Sequence, residues 1–563
     1  MSIVGIDLGT TNSSISCFRN GKSELIPNIH GDRLTPSVVS VLDNGEIVVG
    51  KAAKERLYTH PQLTAAAFKR HMGMKKKYNL GSHVFTPVEL SSLVLKSLKA
   101  DAEDALGEPV KEAVISVPAY FNEHQRFATK QAGELAGLHV ERLISEPSAA
   151  ALAYGLHESD SFIQFLVFDL GGGTFDVSIV EMFDKVMEVK AVAGDSFLGG
   201  EDFDQVIADY FIKDQDLHSR LDNKVRAIIK EKAEAAKFAL SKNDVVEMKV
   251  VLGDETFKSV LTQEKLEELC APLLGRIRQP LIRALRDATL SSSDLAYVIL
   301  VGGSCHMPLI RSYATSLFGN LPIGSIDPDE AVGLGTGVAA ALKDRNENLQ
   351  EHLMTDVCPF TLGTGTSSEC NDGSMLHNIF LPIIERNTVI PFSKVVRFFT
   401  LFNNQTQVRV TVYQGESRHA DQNLKLGEME IRVPPKPKGE AAIDVRYTYD
   451  VNGLLEVEVT SIDTGITERK VIKNAETQLS SKEIDASFKR LAKLKIHPRD
   501  KDENRLLLAR AERLFEESLG DMRVCIDQST RDFERVLDRQ IPTEIEVAAI
   551  EFEFFLNQFE ATL

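Results

Sequence analysis

The spacing of apolar residues changes twice along the chain and predicts three kinds of structure. Up to about residue 350, short β-branched runs alternate with longer helical stretches, a pattern typical of α/β domains. Over residues 361–472 the apolar residues recur at every second position, as they do from Val408 to Val412, which predicts antiparallel strands. From Ser480 onward the spacing becomes helical again and opens on a capping box formed by Ser480 and Glu483.

Shifts in composition place the boundaries between these regions. Residues 343–356 are polar and lack a sustained apolar face, so part of this stretch predicts a linker. We therefore expect four parts in chain order. They are an α/β domain over residues 1–350, a linker over 351–356, an antiparallel β domain over 357–475 and a helical segment over 476–563.

Length, composition and charge agree with packed domains and exclude several other classes. The chain has 563 residues, of which 43% are apolar and 26% charged, and these values exclude a wholly disordered or collagen-like chain. With 64 basic and 82 acidic side chains, the formal net charge is -18. Such a surface opposes nonspecific attraction to nucleic acid or to anionic lipid, so we expect neither as a partner.

The cysteines and the N-terminus bear on the compartment. Six cysteines are scattered along the chain without a C-x-x-C pair, which favours neither a disulfide framework nor a zinc site. The N-terminus lacks the basic and long apolar regions of a secretory signal. The longest uncharged stretch falls short of the roughly 20 apolar residues that a membrane helix needs. We therefore expect a soluble, cytoplasmic protein.

A repeated strand-to-turn junction is the first sign of chemistry. Ile3–Thr11 is an apolar strand with Asp7 at its end and small turn residues after it, and Leu166–Thr174 repeats this pattern with Asp169. Two copies of one unit imply a duplicated α/β lobe with a cleft between the copies. Glycines at such turns let backbone N–H groups approach phosphate oxygens. The aspartate at each strand end offers Mg²⁺ a hard oxygen ligand.

A third glycine junction follows the apolar run from Val298 to Val301. Gly302 and Gly303 would let a flat base or a ribose lie against the backbone. Any one of these turns, taken singly, is more often only a tight turn, but three of them, two with a matched aspartate, are improbable by chance. The spacing G-x-x-x-x-G-K-[ST] is absent, which disfavours a P-loop fold.

Five blocks of sequence, two of which overlap the repeated junctions, carry a family resemblance. They are Gly5–Thr11, Val117–Phe121, Glu146–Gly155, Asp169–Asp176 and Leu198–Asp204. Together they resemble the seventy-kilodalton heat-shock chaperones of the DnaK type, and the specialised bacterial HscC branch looks the most similar. The resemblance implies a multidomain fold: an actin-like, ribonuclease-H-like duplicated α/β ATPase domain, an interdomain linker, an antiparallel β-sandwich that grips an extended peptide, and an α-helical lid.

The resemblance also implies a site that hydrolyses ATP to ADP with Mg²⁺, and K⁺ as a further ion. In this family pattern, Asp7 and Asp169 would hold hydrated Mg²⁺. The phosphates would contact Thr10, Thr11, Gly171, Gly172 and Gly173. The catalytic group would comprise Lys69, Glu146, Thr174 and Asp176. Without the surrounding motifs, Lys69 would more often be a solvated lysine and Glu146 an ordinary carboxylate.

By the same resemblance, the adenosine would contact Glu234, Lys237, Ser241, Gly302, Gly303, Ser304 and Asp329. The first three are spaced i, i+3, i+7 and share one helix face, although salt bridges along a helix give a similar spacing. Two departures from the family pattern accompany them. Phe238 occupies a position that is Arg in some relatives, and Cys305–His306 replaces the usual Thr-Arg.

In the family, a relay carries the nucleotide state towards the linker, and it maps here onto Pro118, Arg126 and Asp356. The linker counterpart, residues 352–356, has His and Thr near its ends where relatives carry a leucine-rich run. Burial of each large apolar side chain supplies about 1.5–3 kcal/mol. We therefore expect weaker docking of this linker and weaker allosteric coupling.

An ungapped match to the family's β domain places five residues around a groove for an extended apolar peptide: Leu376, Phe398, Leu401, Val408 and Val410. Leu376 and Leu401 would arch over the peptide backbone, and Leu401 is bulkier than the Ala that is familiar there. Any one of the five, taken singly, would more often be a core residue of the sandwich. The helical region is shorter than most lids of the family, so we expect reduced lid-dependent retention of peptide.

These inferences lead to an ATP-dependent chaperone that binds and releases extended apolar segments of unfolded proteins, a role in protein folding and stress response. A J-domain co-chaperone would stimulate hydrolysis, with Arg142 as a candidate contact. The need for a nucleotide-exchange factor stays open, because residues 241–265 look shorter than in the main bacterial relatives.

Two alternative functions share the duplicated fold, that of a sugar or acetate kinase and that of an actin-like filament protein. Both leave residues 361–563 without a role.

Overall fold

The structure of the protein is a computed structural model. It describes residues 3–155, 162–183, 186–252, 255–319, 326–343, 353–369, 375–450, 454–472, 497–518 and 520–560. The chain forms two compact units, the first containing residues up to 360 with 386–389, and the second containing residues 361–385 and those from 390 onward. Ser480 and Glu483, the predicted start of the helical region, lie outside the described residues.

The first unit opens with a lobe of mixed α and β structure. Its elements are β1 (Ile3–Asp7), β2 (Asn12–Arg19), β3 (Lys22–Leu25), β4 (Thr35–Pro36), β5 (Val39–Val41), β6 (Ile47–Val49), α1 (Lys51–Thr59), β7 (Thr64–Ala65), β8 (Tyr78–Leu80), β9 (His83–Phe85), α2 (Pro87–Leu106), β10 (Glu112–Val117), α3 (Glu123–Leu135), β11 (His139–Ser145) and α4 (Glu146–Ala153). The main sheet has the order β11–β10–β1–β2–β3, and β4 pairs with β2.

A second lobe of the same unit follows. Its elements are β12 (Ile163–Leu170), β13 (Phe175–Phe183), β14 (Val186–Asp195), α5 (Gly200–Asp214), α6 (Asn223–Leu240), β15 (Val245–Leu252), β16 (Glu255–Thr262), α7 (Gln263–Asp287), β17 (Tyr297–Val301), α8 (Pro308–Phe318), α9 (Ala331–Lys343) and β18 (Leu353–Val357). The main sheet runs β17–β12–β13–β14–β18.

The two main sheets share one arrangement. In the first, β1, β2 and β3 form an antiparallel meander, and β10 joins β1 in parallel. In the second, β12, β13 and β14 form the meander, and β17 joins β12 in parallel. Asp7 and Asp169 thus stand at the ends of equivalent strands, β1 and β12, each preceding a tight turn.

Helix α9 comes late in the second lobe in chain order but packs closely against the first lobe, because glycines let the backbones approach. It packs against α4 and β1. A Cβ atom at Gly335 would lie only 1.7 Å from the carbonyl oxygen of Ala149, and one at Gly5 would lie 2.2 Å from the carbonyl carbon of Thr336. Side chains larger than hydrogen therefore cannot occupy these two positions without moving the backbones apart.

Part of the predicted linker region forms the strand β18. It pairs in parallel with β14, with Val186 opposite Leu353, Met187 opposite Met354 and Glu188 opposite Thr355. The pairing uses main-chain hydrogen bonds, which do not depend on side-chain identity. The polar residues in this segment therefore do not prevent it from joining the sheet.

The second unit contains a β-sandwich. The strands of this region are β19 (Leu362–Glu369), β20 (Met375–Ile384), β21 (Val389–Ile390), β22 (Phe392–Phe399), β23 (Gln407–Gln414), β24 (Leu424–Arg432), β25 (Ala442–Tyr449), β26 (Leu455–Ser461) and β27 (Thr467–Ile472). Two four-stranded sheets have the orders β20–β19–β23–β24 and β22–β25–β26–β27, and all their strands are antiparallel. The buried Tyr447 hydroxyl donates to the Gly363 carbonyl oxygen at 2.9 Å and links the two sheets.

After the sandwich, the described part of the second unit contains three α-helices. They are α10 (Asp502–Glu517), α11 (Asp521–Arg539) and α12 (Pro542–Glu560). Their shared core is formed by Leu507, Ala511, Leu514, Ile526, Phe533, Leu537, Ile545, Phe552 and Leu556. Phe533 and Phe552 stack with ring centroids 4.7 Å apart. None of the described helices of the chain is both long enough and apolar enough to cross a bilayer.

Adding one methyl group to each of two helical glycines should have opposite effects on stability. We expect Gly335→Ala to lower the free energy of unfolding of the first unit by at least about 2 kcal/mol, because the methyl group would overpack the contact between α9 and α4. The matched change Gly275→Ala in α7 meets no atom within 4 Å and should raise stability by up to about 1 kcal/mol through helix propensity. Urea unfolding followed by circular dichroism measures both changes, and equal effects would contradict the close approach.

Candidate active site

Two turns, one from each lobe, lie against each other at the ends of β1 and β12. A Cβ atom at Gly172 would lie 1.7 Å from the Thr11 Oγ1 atom, and one at Gly173 would lie 2.5 Å from the Thr10 Cγ2 atom. The Thr11 hydroxyl is buried, and no described residue hydrogen-bonds to it. Because an unpaired buried hydroxyl is costly, this atom fits a polar ligand such as a phosphate oxygen.

Hydrogen bonds hold both turns in place without a ligand. In the first, the Gly9 N–H donates to the Ser13 Oγ atom at 3.1 Å, and the Ser37 hydroxyl donates to the Gly9 carbonyl oxygen at 2.8 Å. In the second, the Gly171 carbonyl oxygen accepts from the Gly200 N–H at 3.0 Å and from the Ser304 hydroxyl at 2.8 Å. We call the space between the two turns, residues 9–11 and 171–174, the phosphate cradle. Because these hydrogen bonds fix both turns, the phosphate cradle is preorganised, which favours ligand binding.

Lys69 and Glu146 form a buried ion pair beside the cradle. Lys69 lies on a short 3₁₀ turn, Phe68–His71, and Glu146 is the first residue of α4. The Lys69 Nζ atom lies 2.9 Å from the Glu146 Oε1 atom. Burial alone would lower the pKa of Lys69, but the charges of Glu146 and Asp7 outweigh it and raise that pKa. Lys69 is therefore a fixed positive charge at the cavity wall.

Three aspartates share this space with Glu146. Burial, reinforced by the Glu146 charge, raises the pKa of Asp7 to about 6, although the Ser116 hydroxyl donates to Asp7 at 2.6 Å. Burial and then Glu146 raise the pKa of Asp169 well above its ordinary value. The same causes raise the pKa of Asp176 to about 7. Each shift arises first from burial and then from the negative charge of Glu146, which Lys69 offsets only in part.

The donor set suits a hard divalent cation. Asp7 and Asp169 both line the cavity, as do the hydroxyls of Thr10 and Thr11. These groups are all oxygens, which Mg²⁺ prefers, whereas zinc sites are usually built from His and Cys. A cation here would offset the excess negative charge that raises the aspartate pKa values. The residues present therefore fit Mg²⁺.

The site opens into a cavity of about 400 Å³ between the two lobes. That volume lies within the range of small-ligand sites. All seven residues of the predicted adenosine subsite line it: Glu234, Lys237, Ser241, Gly302, Gly303, Ser304 and Asp329. The structure therefore brings these residues into one cavity with the phosphate cradle, although they come from distant parts of the chain.

Two ion pairs position the helix that crosses the adenosine subsite. Lys237 lies 2.7 Å from the Asp204 Oδ1 atom, and its Nζ atom donates to the Gly200 carbonyl oxygen at 3.1 Å. The Lys54 Nζ atom donates to the Glu234 Oε1 atom at 3.2 Å. These contacts tie α6 to α5 and to α1, so the cavity wall has elements from both lobes.

The two departures from the family pattern both face the cavity. Phe238 lines it and is 56% exposed, with the Lys237 Nζ atom 5.5 Å from its ring centroid. His306 also lines it, and its Nε2 atom lies 3.2 Å from Asp327 and 3.4 Å from Asp329. Hydrogen bonding to Asp329 outweighs burial and raises the pKa of His306. An aromatic ring and an imidazole thus stand where the family pattern has guanidinium groups.

The relay residues have contacts around the chain segment after β10. The Arg126 guanidinium donates to the Phe121 and Ala119 carbonyl oxygens at 3.3 and 3.4 Å. Pro118 begins this turn, since its carbonyl oxygen accepts from the Phe121 N–H at 3.2 Å. Asp356 lies on β18, where its carboxylate accepts from the N–H of its neighbour Val357 at 2.8 Å.

The predicted groove residues lie in the second unit. Val408 and Val410 are on β23 and Leu376 is on β20, within one sheet, while Phe398 is on β22 of the other sheet and Leu401 follows β22. Leu376 is 47% exposed, whereas Val410 is buried. Their role in peptide binding stays a prediction.

Sequence reasoning missed several residues that support the site. The Tyr120 N–H donates to the Asp176 Oδ1 atom at 2.9 Å, and the Arg70 Nε atom donates to the Gly173 carbonyl oxygen at 2.8 Å. Three more were missed: Ser116, which donates to Asp7, Lys54, which donates to Glu234, and Asp204, which pairs with Lys237. Tyr120 and Asp204 could have been found because they lie within the motifs quoted for the family resemblance. Nothing in the sequence marked Ser116 or Lys54.

The paired turns, the oxygen donors and the adjoining cavity form a site of the class that binds a nucleotide with a divalent cation. A comparison with protein families agrees with this geometry. The model of the Hsp70 protein family matches residues 3–80 and 76–549. The chain belongs to the Hsp70 family, which confirms the resemblance to seventy-kilodalton heat-shock proteins. As a family these are chaperones with ATPase activity that bind ATP with Mg²⁺, unfolded clients and co-chaperones; membership of the HscC branch stays a prediction.

Removing the buried Asp176 carboxyl should change how stability depends on pH. Because the folded-state pKa is raised from 3.8 to about 7, the native protein binds the proton more tightly than the unfolded chain, and this contribution to stability is lost as the pH rises through 7. In protein free of nucleotide and metal, we expect Asp176→Asn to gain stability relative to wild type between about pH 4 and 7, by at most about 4 kcal/mol.

Thermal unfolding across this pH range measures the difference, and Asp209→Asn on the exposed face of α5 is the matched control. Parallel pH curves for wild type and Asp176→Asn would contradict the raised pKa.

Proposed function

We propose that this protein is an ATP-driven chaperone that hydrolyses ATP in the first unit and binds extended apolar segments of unfolded proteins in the second. The observation that carries the first part is the ion pair of Lys69 and Glu146 among the carboxylates of Asp7, Asp169 and Asp176. Lys69, Glu146, Asp7 and Asp169 line the cavity beside the two turns, and Asp176 is buried where the Glu146 charge acts on it. Family membership supports the second part.

The residues of the cavity divide the work of phosphoryl transfer to water. Asp7 and Asp169 would hold Mg²⁺, which when bound would neutralise charge on the phosphates. Thr10, Thr11 and the glycine turn hold the phosphates in position. Lys69 stabilises the negative charge that develops in the transition state, where positioning and electrostatics supply most of the rate.

A proton must leave the attacking water in this reaction. Asp176 has a pKa of about 7, which suits a general base at neutral pH. The Tyr120 N–H fixes its carboxylate orientation. Thr174, which follows the glycines of the second turn and lines the cavity, positions the water with its hydroxyl. K⁺ is retained as a further ion of this site on the family resemblance alone.

A chain of contacts supports coupling between hydrolysis and the linker. Tyr120 holds Asp176 through its N–H, and its ring lies 4.4 Å from the ring of Phe360, centroid to centroid. Phe360 follows β18 by three residues. A change of charge at Asp176 would therefore alter the position of Tyr120 and its contact with Phe360, just after the linker strand. Pro118 and Arg126, which shape the same turn, act with Tyr120 in this relay.

The co-chaperone contact rests on the edge of the first lobe. Arg142 lies on β11, the end strand of its sheet, and its charge interacts with that of Asp356 on β18. A J-domain partner that engaged Arg142 would act directly on the linker strand.

The client would lie in the predicted groove of the second unit, held by Leu376, Phe398, Leu401, Val408 and Val410, with main-chain hydrogen bonds adding affinity regardless of sequence. Whether the protein needs a nucleotide-exchange factor stays an open question.

Two lysines of the cavity should separate rate from affinity. We expect Lys69→Met to slow ATP hydrolysis about a hundredfold or more, because it removes a charge that acts on the transition state, with a small effect on ATP affinity. We expect Lys54→Met to weaken ATP binding several-fold while leaving the single-turnover rate within about twofold, since Lys54 only positions Glu234. Single-turnover hydrolysis and calorimetric titration measure the two quantities. Equal rate losses would contradict these assignments.

The complete cycle is tested by the dissociation rate of a labelled extended apolar peptide, with ATP and with ADP. Faster release with ATP is expected for wild type. Thr174→Ala should bind ATP yet hydrolyse it slowly, so ATP-induced release persists while the return to slow release is delayed. Thr315→Ala removes a half-buried hydroxyl of α8 that donates only to the Arg311 carbonyl oxygen of the same helix, and it is the matched control. Equal release rates with ATP and ADP would refute the coupling, and a phosphorylated small-molecule product would favour the kinase rival.

A further inference from the structure

Helix α12 carries an apolar stripe on its outer face. Val547 is 58% exposed, Ile550 is 70% exposed and Phe554 is 63% exposed. Their spacing of i, i+3 and i+7 places the three side chains along one face of the helix. Because all three side chains are more than half exposed, the described residues leave this apolar face largely open to solvent.

The stripe is not needed to fold the bundle. The inward side of α12 contributes Ile545, Phe552 and Leu556 to the shared core with α10 and α11. Salt bridges fasten its ends, with Arg539 lying 3.2 Å from Glu544 and Arg510 lying 2.9 Å from Glu560. The helix is therefore held rigidly by its other faces and presents the stripe as a preformed surface.

Carboxylates flank the stripe on both sides. Glu546 lies four residues before Ile550, and Glu551 lies four residues after Val547, so the two border opposite edges of the stripe. Both are exposed, and neither has an ion pair with any other described residue. From Pro542 to Glu560, α12 contains five glutamates and no lysine, arginine or histidine.

We propose that this face of α12, defined by Val547, Ile550 and Phe554 with Glu546 and Glu551 at its edges, docks an amphipathic helix of another protein that carries lysine or arginine beside its apolar residues. Apolar contacts along the stripe supply affinity and the carboxylates select the basic partner, as in helix-in-groove recognition. None of these residues lines the nucleotide cavity or belongs to the predicted peptide groove.

Charge argues against the other occupants. A second copy of this chain would bring the glutamates of two α12 helices together, and each copy has a net charge of -18, so like charges would oppose the pair. An anionic membrane surface is repelled for the same reason. A basic helix instead converts the edge glutamates into ion pairs.

The test uses the full-length protein and a fluorescein-labelled peptide of 18 residues (roughly five helical turns) with leucine at helical spacing and lysine elsewhere. A matched peptide has glutamate in place of lysine. An excess of unlabelled extended apolar peptide occupies the client groove throughout. Fluorescence anisotropy should show binding of the lysine peptide to wild type, and Ile550→Ser with Phe554→Ser should weaken it at least about tenfold, as loss of central apolar anchors does.

A charge swap keeps the test independent of the apolar variants. Glu546→Lys with Glu551→Lys should weaken the lysine peptide at least about fivefold and strengthen the glutamate peptide. Val524→Ser removes an apolar side chain that is 66% exposed on α11 and should change neither. Circular dichroism checks that each variant folds.

Three results would overturn the proposal. The first is a lysine peptide that binds all variants equally, which would place it elsewhere on the protein. The second is the absence of binding to wild type, which would mean that the stripe is covered by another part of the chain. The third is a concentration-dependent dimer in sedimentation velocity that Ile550→Ser with Phe554→Ser abolishes, which would assign the stripe to self-association.

Discussion

The crowding of negative charge around Lys69 is the constraint on which the first unit depends. Glu146, Asp169 and Asp176 are buried, and Asp7 stands beside them at the cavity wall. Burial of carboxylates is tolerated only when protons, cations or hydrogen bonds compensate it. The two lobes meet where this compensation is required, and a bound divalent cation would add to it. Ligand binding and lobe packing are thus two aspects of one electrostatic balance.

That balance also explains the glycines at the site. The charged groups come from β1, β12, β13 and α4, and these elements converge only because α9 and the two turns approach their neighbours at backbone distance. Gly172 and Gly335 mark two such contacts. Neither residue has a side chain with which to bind or react. Both act by letting other groups come close enough to do so.

Much of the local structure could be predicted from sequence, because periodicity and turn residues are local signals. The repeated junctions at Asp7 and Asp169 predicted two turns that the structure brings together at one cavity. The contact of Lys69 with Glu146 joins positions 77 residues apart and could be reached only through family resemblance. The outward face of α12 was hidden for another reason: apolar residues occur nearly all round that helix, so sequence alone could not show which face is exposed. Likewise, β18 lacks the alternation of apolar and polar residues that marks a strand in a sequence. Its pairing with β14 is made by the backbone, which leaves no such pattern.

The pairing of β18 with β14 has a consequence for how this region changes over generations. Main-chain hydrogen bonds impose little requirement on residue type, so mutations can accumulate in Leu353–Val357 while the strand keeps its pairing with β14. The departures of this segment from the leucine-rich pattern therefore leave the main-chain pairing possible. Related proteins can then differ in the side chains of this strand, and so in how readily it detaches, while retaining the same architecture.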